Sequence, residues 1–239
     1  MRFGEASGQL DAEFNPFTDE YIVEILRAVV VAWARMKQPK SREWEDNITF
    51  RLAGRLANDP LFRDLPYDIV PQYWLLGIDG QRLGRLDLRF KHRFSHRDYF
   101  AFESKRLHVR YPGGSVSPEY AVYAGAEGMG AFVEGQYSRN LAAAGMLGYV
   151  MDGNTNKAWS GLVTSIDAKR EDLRLLASSQ LMESGFKKQM KAGSLDICLG
   201  ETEHALVSYA LRLFHLLLPV RQGADSVLSG RPKEQAPRH

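Results

Sequence analysis

The feature that most constrains this chain is a change of period. From Phe17 to Met36 apolar residues recur at helical spacing (Ile22, Ile25, Leu26, Val29, Val30, Trp33). A second helical stripe follows in Trp44, Ile48, Leu52 and Leu56. Ser41 is its expected N-cap, and Glu43, Glu45 and Asp46 supply acids to its first turn. Beyond Asn58-Asp59-Pro60 the period drops to two. Residues 69–76, 83–91 and 98–107 read as three strands, the first pair joined by the turn signal Gly77-Ile78-Asp79-Gly80. A chain that passes from helices to consecutive strands must cover a sheet with those helices, so the expected class is α/β with a mixed sheet.

The rest of the chain extends that layout. Residues 124–138 read as a glycine-rich helix, 145–151 as a short buried strand, and Asp152-Gly153-Asn154 as a turn capping a helix through Trp159 and Leu162. Residues 169–191 read as a charged helix, and 195–199 and 209–218 as two late strands. Residues 1–220 are expected to form one domain, and 221–239, rich in Gly, Pro, Ser and charge, a disordered tail. The chain has 239 residues, enough for a sizeable core. Its 31 basic and 29 acidic residues leave a net charge of +2, so charge matters here only locally. A single cysteine, Cys198, excludes an internal disulfide framework and a thiolate zinc site. The longest unbroken apolar run, residues 28–34, falls far short of the ~20 residues of a membrane span. Met1-Arg2-Phe3-Gly4-Glu5 lacks the apolar core of a signal peptide, so a cytoplasmic location without membrane attachment is expected.

The second and third strands carry the chemistry. Leu86, Leu88 and Phe90 alternate with Arg85, Asp87, Arg89 and Lys91. Phe100, Phe102 and Ser104 alternate with Tyr99, Ala101, Glu103 and Lys105. A hairpin centred on Ser95 sets Asp87 opposite Glu103 and Arg85 opposite Lys105. Two directly opposed carboxylates repel, which calls for a basic neighbour, a proton or a divalent cation between them. The same residues also fit a solvated strand face paired with Arg85, Arg89 or Lys105. From Arg82 to Arg110 nine Lys/Arg accompany three acids and three histidines (His92, His96, His108). This is either a soluble strand face or a phosphate-tracking surface.

Arg85-Leu86-Asp87, followed by Phe102-Glu103-Ser104-Lys105, resembles the PD-(D/E)xK nucleases, the restriction-endonuclease-like superfamily that includes Holliday-junction resolvases. The resemblance runs from Ser41 to about Tyr149 in element order: helix, three strands, helix, strand. Leu86 stands where the family's nominal proline would be. The resemblance implies a restriction-endonuclease-like core and a Mg²⁺- or Mn²⁺-dependent hydrolase of phosphodiester bonds in DNA, acting in defence or repair. Asp87, Glu103 and the helix acid Glu45 would hold the metal, with Glu43 as a competitor for the last role. Lys105 would orient or deprotonate the attacking water. Arg85, Arg89, Lys91, Arg93, Arg97, Arg106, Tyr137 and Arg139 would contact nucleic acid. A homodimer or partner subunit fits two-strand cleavage. The alternative is a catalytically inactive subunit of the same fold that binds nucleic acid or a partner. Cys198, His204 and His215 read as structural residues.

Overall fold

The computed structural model describes residues 17–94, 99–137, 141–189 and 195–221. The expectations for the N-terminal segment, the loop through Ser95 and Arg97, and the tail beyond 221 lie outside them. Helix α1 (Asp19–Arg35) buries Ile22, Ile25, Leu26, Val29, Val30 and Trp33, as its spacing requires. Acids in its first turn and Arg35 in its last oppose the helix dipole. Helix α2 (Glu45–Ala57) buries Ile48, Thr49, Leu52, Ala53 and Leu56. It begins three residues later than Ser41 as N-cap suggests, with Trp44 at the N-cap. Lys40 to Glu43 close a turn of their own: the Glu43 amide donates to the Lys40 carbonyl at 3.0 Å, and the Glu43 carboxylate accepts from the Lys40 amide at 3.1 Å. Trp44 is therefore the N-cap through its backbone only, and its ring stands outside the buried stripe. The short α3 (Pro60–Arg63) is capped by Asp59, which also takes an Arg35 guanidinium bond at 3.1 Å.

Seven strands form one mixed sheet. They are β1 (Tyr67–Leu76), β2 (Arg82–His92), β3 (Tyr99–Leu107), β6 (Ala143–Val150), β7 (Met182–Glu183), β8 (Cys198–Ala205) and β9 (Ala210–Pro219), in the spatial order β1-β2-β3-β6-β9-β8-β7. Between β3 and β6 the chain makes a small separate hairpin, β4 (Val109–Arg110) with β5 (Val116–Ser117). The central β3, β6 and β9 are parallel and the outer pairs antiparallel. β6 is buried throughout, as a parallel strand covered on both faces must be. One core lies between the sheet and α1–α3, including Trp33, Leu52, Phe90, Phe102, Tyr149 and Phe214. A second lies on the other face, beneath α4 (Tyr120–Tyr123), α5 (Met129–Val133) and α6 (Thr155–Ala168). The protein is thus an α/β molecule whose sheet is flanked by helices. Among the described residues no helix is long and apolar enough to cross a membrane.

Three local expectations are corrected. Of the helix expected over 124–138, the described residues 124–137 do not make one helix, because the chain turns sharply at the glycines between α4 and α5. The Gly125 carbonyl accepts from both Gly128 and Gly130, and a Cβ on Gly128 would stand 2.1 Å from the Tyr123 carbonyl oxygen. The helix expected over 169–191 does not form in its described part: residues 169–189 are turns, the two-residue β7 and a 3₁₀ turn (Gly185–Gln189). Arg174 takes a positive φ of 48°, and the segment bonds to the sheet edge through Leu176 to Glu203 and Ala205 to Arg174. Pairing with β8 outweighs its helical composition. β8 itself starts at Cys198 rather than Leu195 and runs on through polar residues. Its inward side chains there are Thr202 and His204, which apolar patterning does not detect. The α6 cap is as expected: the Asn154 side chain accepts from the Lys157 amide at 3.0 Å.

Candidate active site

The β2–β3 register carries Lys91 opposite Tyr99 through to Leu88 opposite Phe102, the alignment that a hairpin centred on Ser95 implies. There the ladder stops and the strands part. Asp87 lies at the opening, and its carboxylate takes over the ladder's task. Oδ2 accepts from the Ser104 amide at 2.8 Å and from the Ser104 hydroxyl at 2.6 Å. The alternation of β2 also breaks at this point: Leu88 and Phe90 belong to the core under α1–α3, whereas Leu86 belongs to the opposite core. The expectation that all three share one face is therefore corrected. On β1, between the partners of Leu88 and Leu86, Gln72 has φ 53° and donates to Asp87 Oδ1 at 3.1 Å. Such a left-handed backbone in a non-glycine residue costs about 1–3 kcal/mol and persists only where its surroundings hold it.

Ser104 is the end of a buried hydroxyl relay. Thr49 Oγ1 lies 3.0 Å from both Ser104 Oγ and the Tyr149 hydroxyl. A carboxylate can only accept, so the bonds run from Tyr149 to Thr49 to Ser104 to Asp87. Burial holds the Tyr149 proton far above the ordinary phenol range. Thus α2, β3 and β6 together orient one carboxylate.

The other acids converge on Lys105. Its Nζ donates to Glu103 Oε1 at 2.6 Å and stands 3.6 Å from Glu45 Oε1. Glu45 Oε2 accepts from the Arg106 amide at 2.8 Å, fixing the first residue of α2 to β3. Glu43 takes no part: it pairs with Arg51 at 2.9 Å. Burial raises the Glu45 carboxyl to about 7, with Asp87 adding to the rise and Lys105 opposing it. Glu103 is raised well above the usual range by burial and then by Asp87, against the pull of Lys105. Burial acts to lower Lys105, but Glu103 and Glu45 outweigh it and keep the ammonium charged far above its ordinary range. Three acids against one lysine leave excess negative charge in a desolvated place, relieved by protons or by a cation.

Among the described residues no group of three or more His, Cys, Asp or Glu side chains is gathered closely enough to hold a metal ion. One observation nevertheless fits a hard cation: Glu103 Oε2 is buried and has no hydrogen-bond partner. An unpaired buried carboxylate oxygen beside Asp87 is the oxygen chemistry that Mg²⁺ or Mn²⁺ takes. Asp87, Glu103 and Glu45 are the residues able to supply it.

The basic stretch does not form one surface. Arg89 is only 7% exposed and lies between the Tyr73 and Tyr99 rings at 4.2 and 4.6 Å. His92 and His108 are buried as well. Arg85 pairs with Asp46 at 3.2 Å, away from Lys105, and Arg93 pairs with Asp68 at 3.2 Å. Lys91 is half-buried. Arg106 donates to the Glu43 carbonyl and lies over the Trp44 ring. Tyr137 is half-buried, its carbonyl accepting from Tyr99. Arg97 and Arg139 lie outside the described residues. Sequence reasoning missed Gln72, Thr49, Ser104 and Tyr149 as parts of the site. Only Pro71 offered a signal, since a proline within a strand marks an edge strand, and β1 is one. Compared with known proteins, the chain matches no family model, no curated protein and no solved structure.

Proposed function

We propose that the protein is a metal-dependent nuclease of the PD-(D/E)xK type, hydrolysing phosphodiester bonds in DNA with Mg²⁺ or Mn²⁺. The observation that carries this reading is the convergence of Glu45 and Glu103 on Lys105, near enough to Asp87 for its charge to act on all three, with one buried Glu103 oxygen left unpaired. The element order from α2 through β6 and the parting of β2 from β3 at Asp87 agree with a restriction-endonuclease-like core. When bound, the metal would polarise the phosphate and lower the pKa of a water. The chain's own groups do the rest. Asp87 is oriented by Ser104 and Gln72 and presents its carboxylate without rotational freedom. Glu103 and Glu45 hold the Lys105 ammonium in the metal-free protein, placed to orient water and to offset charge developing on the phosphate. Defence against foreign DNA or repair is the setting that such chemistry serves.

The test is a pair of variants. Asp87→Asn is isosteric: its oxygen still accepts from Ser104, and its amide, at the place of Oδ1, is accommodated when the Gln72 amide turns over to present Oε1, a buried atom with no partner in the native protein, in place of Nε2. The variant should fold, lose metal-dependent cleavage and lose the thermal stabilisation that Mn²⁺ gives the wild type. Lys105→Ala should lose cleavage and keep Mn²⁺ binding, read by calorimetry, because an ammonium is no ligand. Cleavage that survives Asp87→Asn would end the assignment of this cluster as the active site, and a wild type that cleaves no DNA with Mg²⁺ or Mn²⁺ would end the nuclease reading.

A further inference from the structure

The nuclease reading leaves a set of exposed aromatic residues unexplained. Trp44 is 70% exposed and Trp74 42% exposed, values uncommon for the largest apolar side chain. Neither is an isolated surface residue. Arg106 lies 5.2 Å over the Trp44 ring, and Arg82 lies 4.3 Å and Arg85 5.8 Å from the Trp74 ring. Each indole therefore has guanidinium on one side and remains open to solvent elsewhere. Both are tied to the acidic cluster by single links. Trp44 directly precedes Glu45, and its partner Arg106 directly follows Lys105 and donates its amide to Glu45. On the Trp74 side, Arg85 stands two residues before Asp87 and pairs with Asp46, next to Glu45. Arg82 makes no ion pair with an acid among the described residues, so its charge is available to a ligand.

An open aromatic face beside a guanidinium matches one ligand chemistry closely. A nucleobase stacks on the ring and its phosphate meets the cation. Duplex DNA hides its base faces within the stack and offers only edges and backbone. Flat indoles therefore serve unpaired nucleotides.

We propose that Trp44 and Trp74 are stacking platforms for the unpaired bases of a single nucleic-acid strand, which they hold beside the Glu45–Asp87–Glu103–Lys105 cluster. The inference rests on the nuclease reading for its position and extends it to substrate class: a single strand, a flap or a frayed end rather than a continuous duplex.

The experiment uses the full chain in chelator, so that nothing is cut. A dT oligomer, a U oligomer and a blunt duplex of equal length are titrated by anisotropy, with intrinsic tryptophan fluorescence read alongside. Trp33 is buried against Tyr149 and Trp159 is half-buried against the core on the other face, so the quenching that is lost in Trp44→Ala and Trp74→Ala reports the exposed indoles. The dT oligomer should bind more tightly than the duplex and quench the fluorescence. Trp44→Ala and Trp74→Ala should each weaken dT binding roughly 5- to 150-fold, with duplex binding and melting temperature unchanged. Trp→Phe at either site should restore most of the loss. The U arm reports whether the sugar matters, and equal binding of U and dT supports stacking as the common cause. Duplex binding as tight as dT, or alanine variants that bind dT normally, would overturn the inference. So would a change of oligomeric state in Trp74→Ala by sedimentation, because a second copy would then cover that face. The two readings fail separately. Duplex cleavage that needs Asp87 but neither tryptophan keeps the nuclease and removes the platforms. Tryptophan-dependent dT binding without cleavage of any nucleic acid keeps the platforms and removes the nuclease.

Discussion

Glu45 shows how one residue's environment changes its chemistry. As the first residue of α2 its negative charge is favoured by the helix dipole. Burial outweighs that and lifts its carboxyl from 4.5 to about 7. The native protein therefore takes up this proton below about pH 7, whereas the unfolded chain takes it up only below 4.5. Across that window the native state is favoured as pH falls, and above it the full cost of a buried charge is felt. Glu45→Gln removes the titration and can keep the bond from the Arg106 amide. In chelator this variant should be more stable than wild type at pH 8, by up to about 3 kcal/mol. The gap should close as pH falls towards 4.5, measured by urea unfolding at each pH. A gap that does not change with pH would show that Glu45 is not a buried titrating group.

At the scale of elements, the site depends on how closely β3 and β6 approach. Gly145 pairs with Phe102, and a Cβ there would lie 2.2 Å from a Phe102 ring carbon. Phe102 is fully buried between Phe90 and Phe100 and has no room to move aside. Gly145→Ala should therefore cost about 1–3 kcal/mol in overpacking. Because Phe102 precedes Glu103, the strain should also reduce cleavage. Adding Phe102→Leu should recover part of the stability, which a denaturant midpoint for each single variant and the double variant would measure. Additive losses would place the strain elsewhere.

At the scale of the whole molecule, the far half of the sheet holds a buried polar chain unrelated to the acidic cluster. Thr202 Oγ1 lies 2.8 Å from both His204 Nε2 and His215 Nε2, Tyr123 bonds His215 at 3.1 Å, and His204 reaches the Leu173 carbonyl at 2.7 Å. Burial lowers His204 to about 4; burial and then the neighbouring His204 lower His215 to about 3. The unfolded chain protonates both near 6.5, the native state only at about 4 and 3. Their contribution to stability is thus complete above 6.5 and lost as pH falls below it, by about 1.4 kcal/mol per unit for each group. Glu45 acts in the opposite sense between 7 and 4.5, so the wild-type profile alone does not separate them. His204→Gln should lose stability less steeply than wild type between pH 6.5 and 4, with the Leu173 bond kept by the amide. Parallel profiles for the two proteins would contradict a buried neutral histidine.

Strong, local periodicity was enough to set α1, α2, the β1–β2–β3 meander and the capped start of α6. It also determined the β2–β3 register from Lys91 with Tyr99 to Leu88 with Phe102, because a two-residue alternation and one hairpin loop leave little freedom; it did not show that the ladder ends before Asp87. Tertiary contacts set the start of α2, the bend of residues 124–137 at their glycines, and the path of residues 169–189 along a strand edge instead of in a helix. In each case a close approach or a pairing partner distant in sequence overrode local propensity. The same holds at the site. Asp87, Glu103 and Lys105 are legible as a pattern on two strands, but Gln72, Thr49, Ser104 and Tyr149 are ordinary residues until the fold joins them. The charge of Arg89 is visible in the sequence, yet its burial between two tyrosines is not. Composition counts cations, whereas only packing decides which of them meet water.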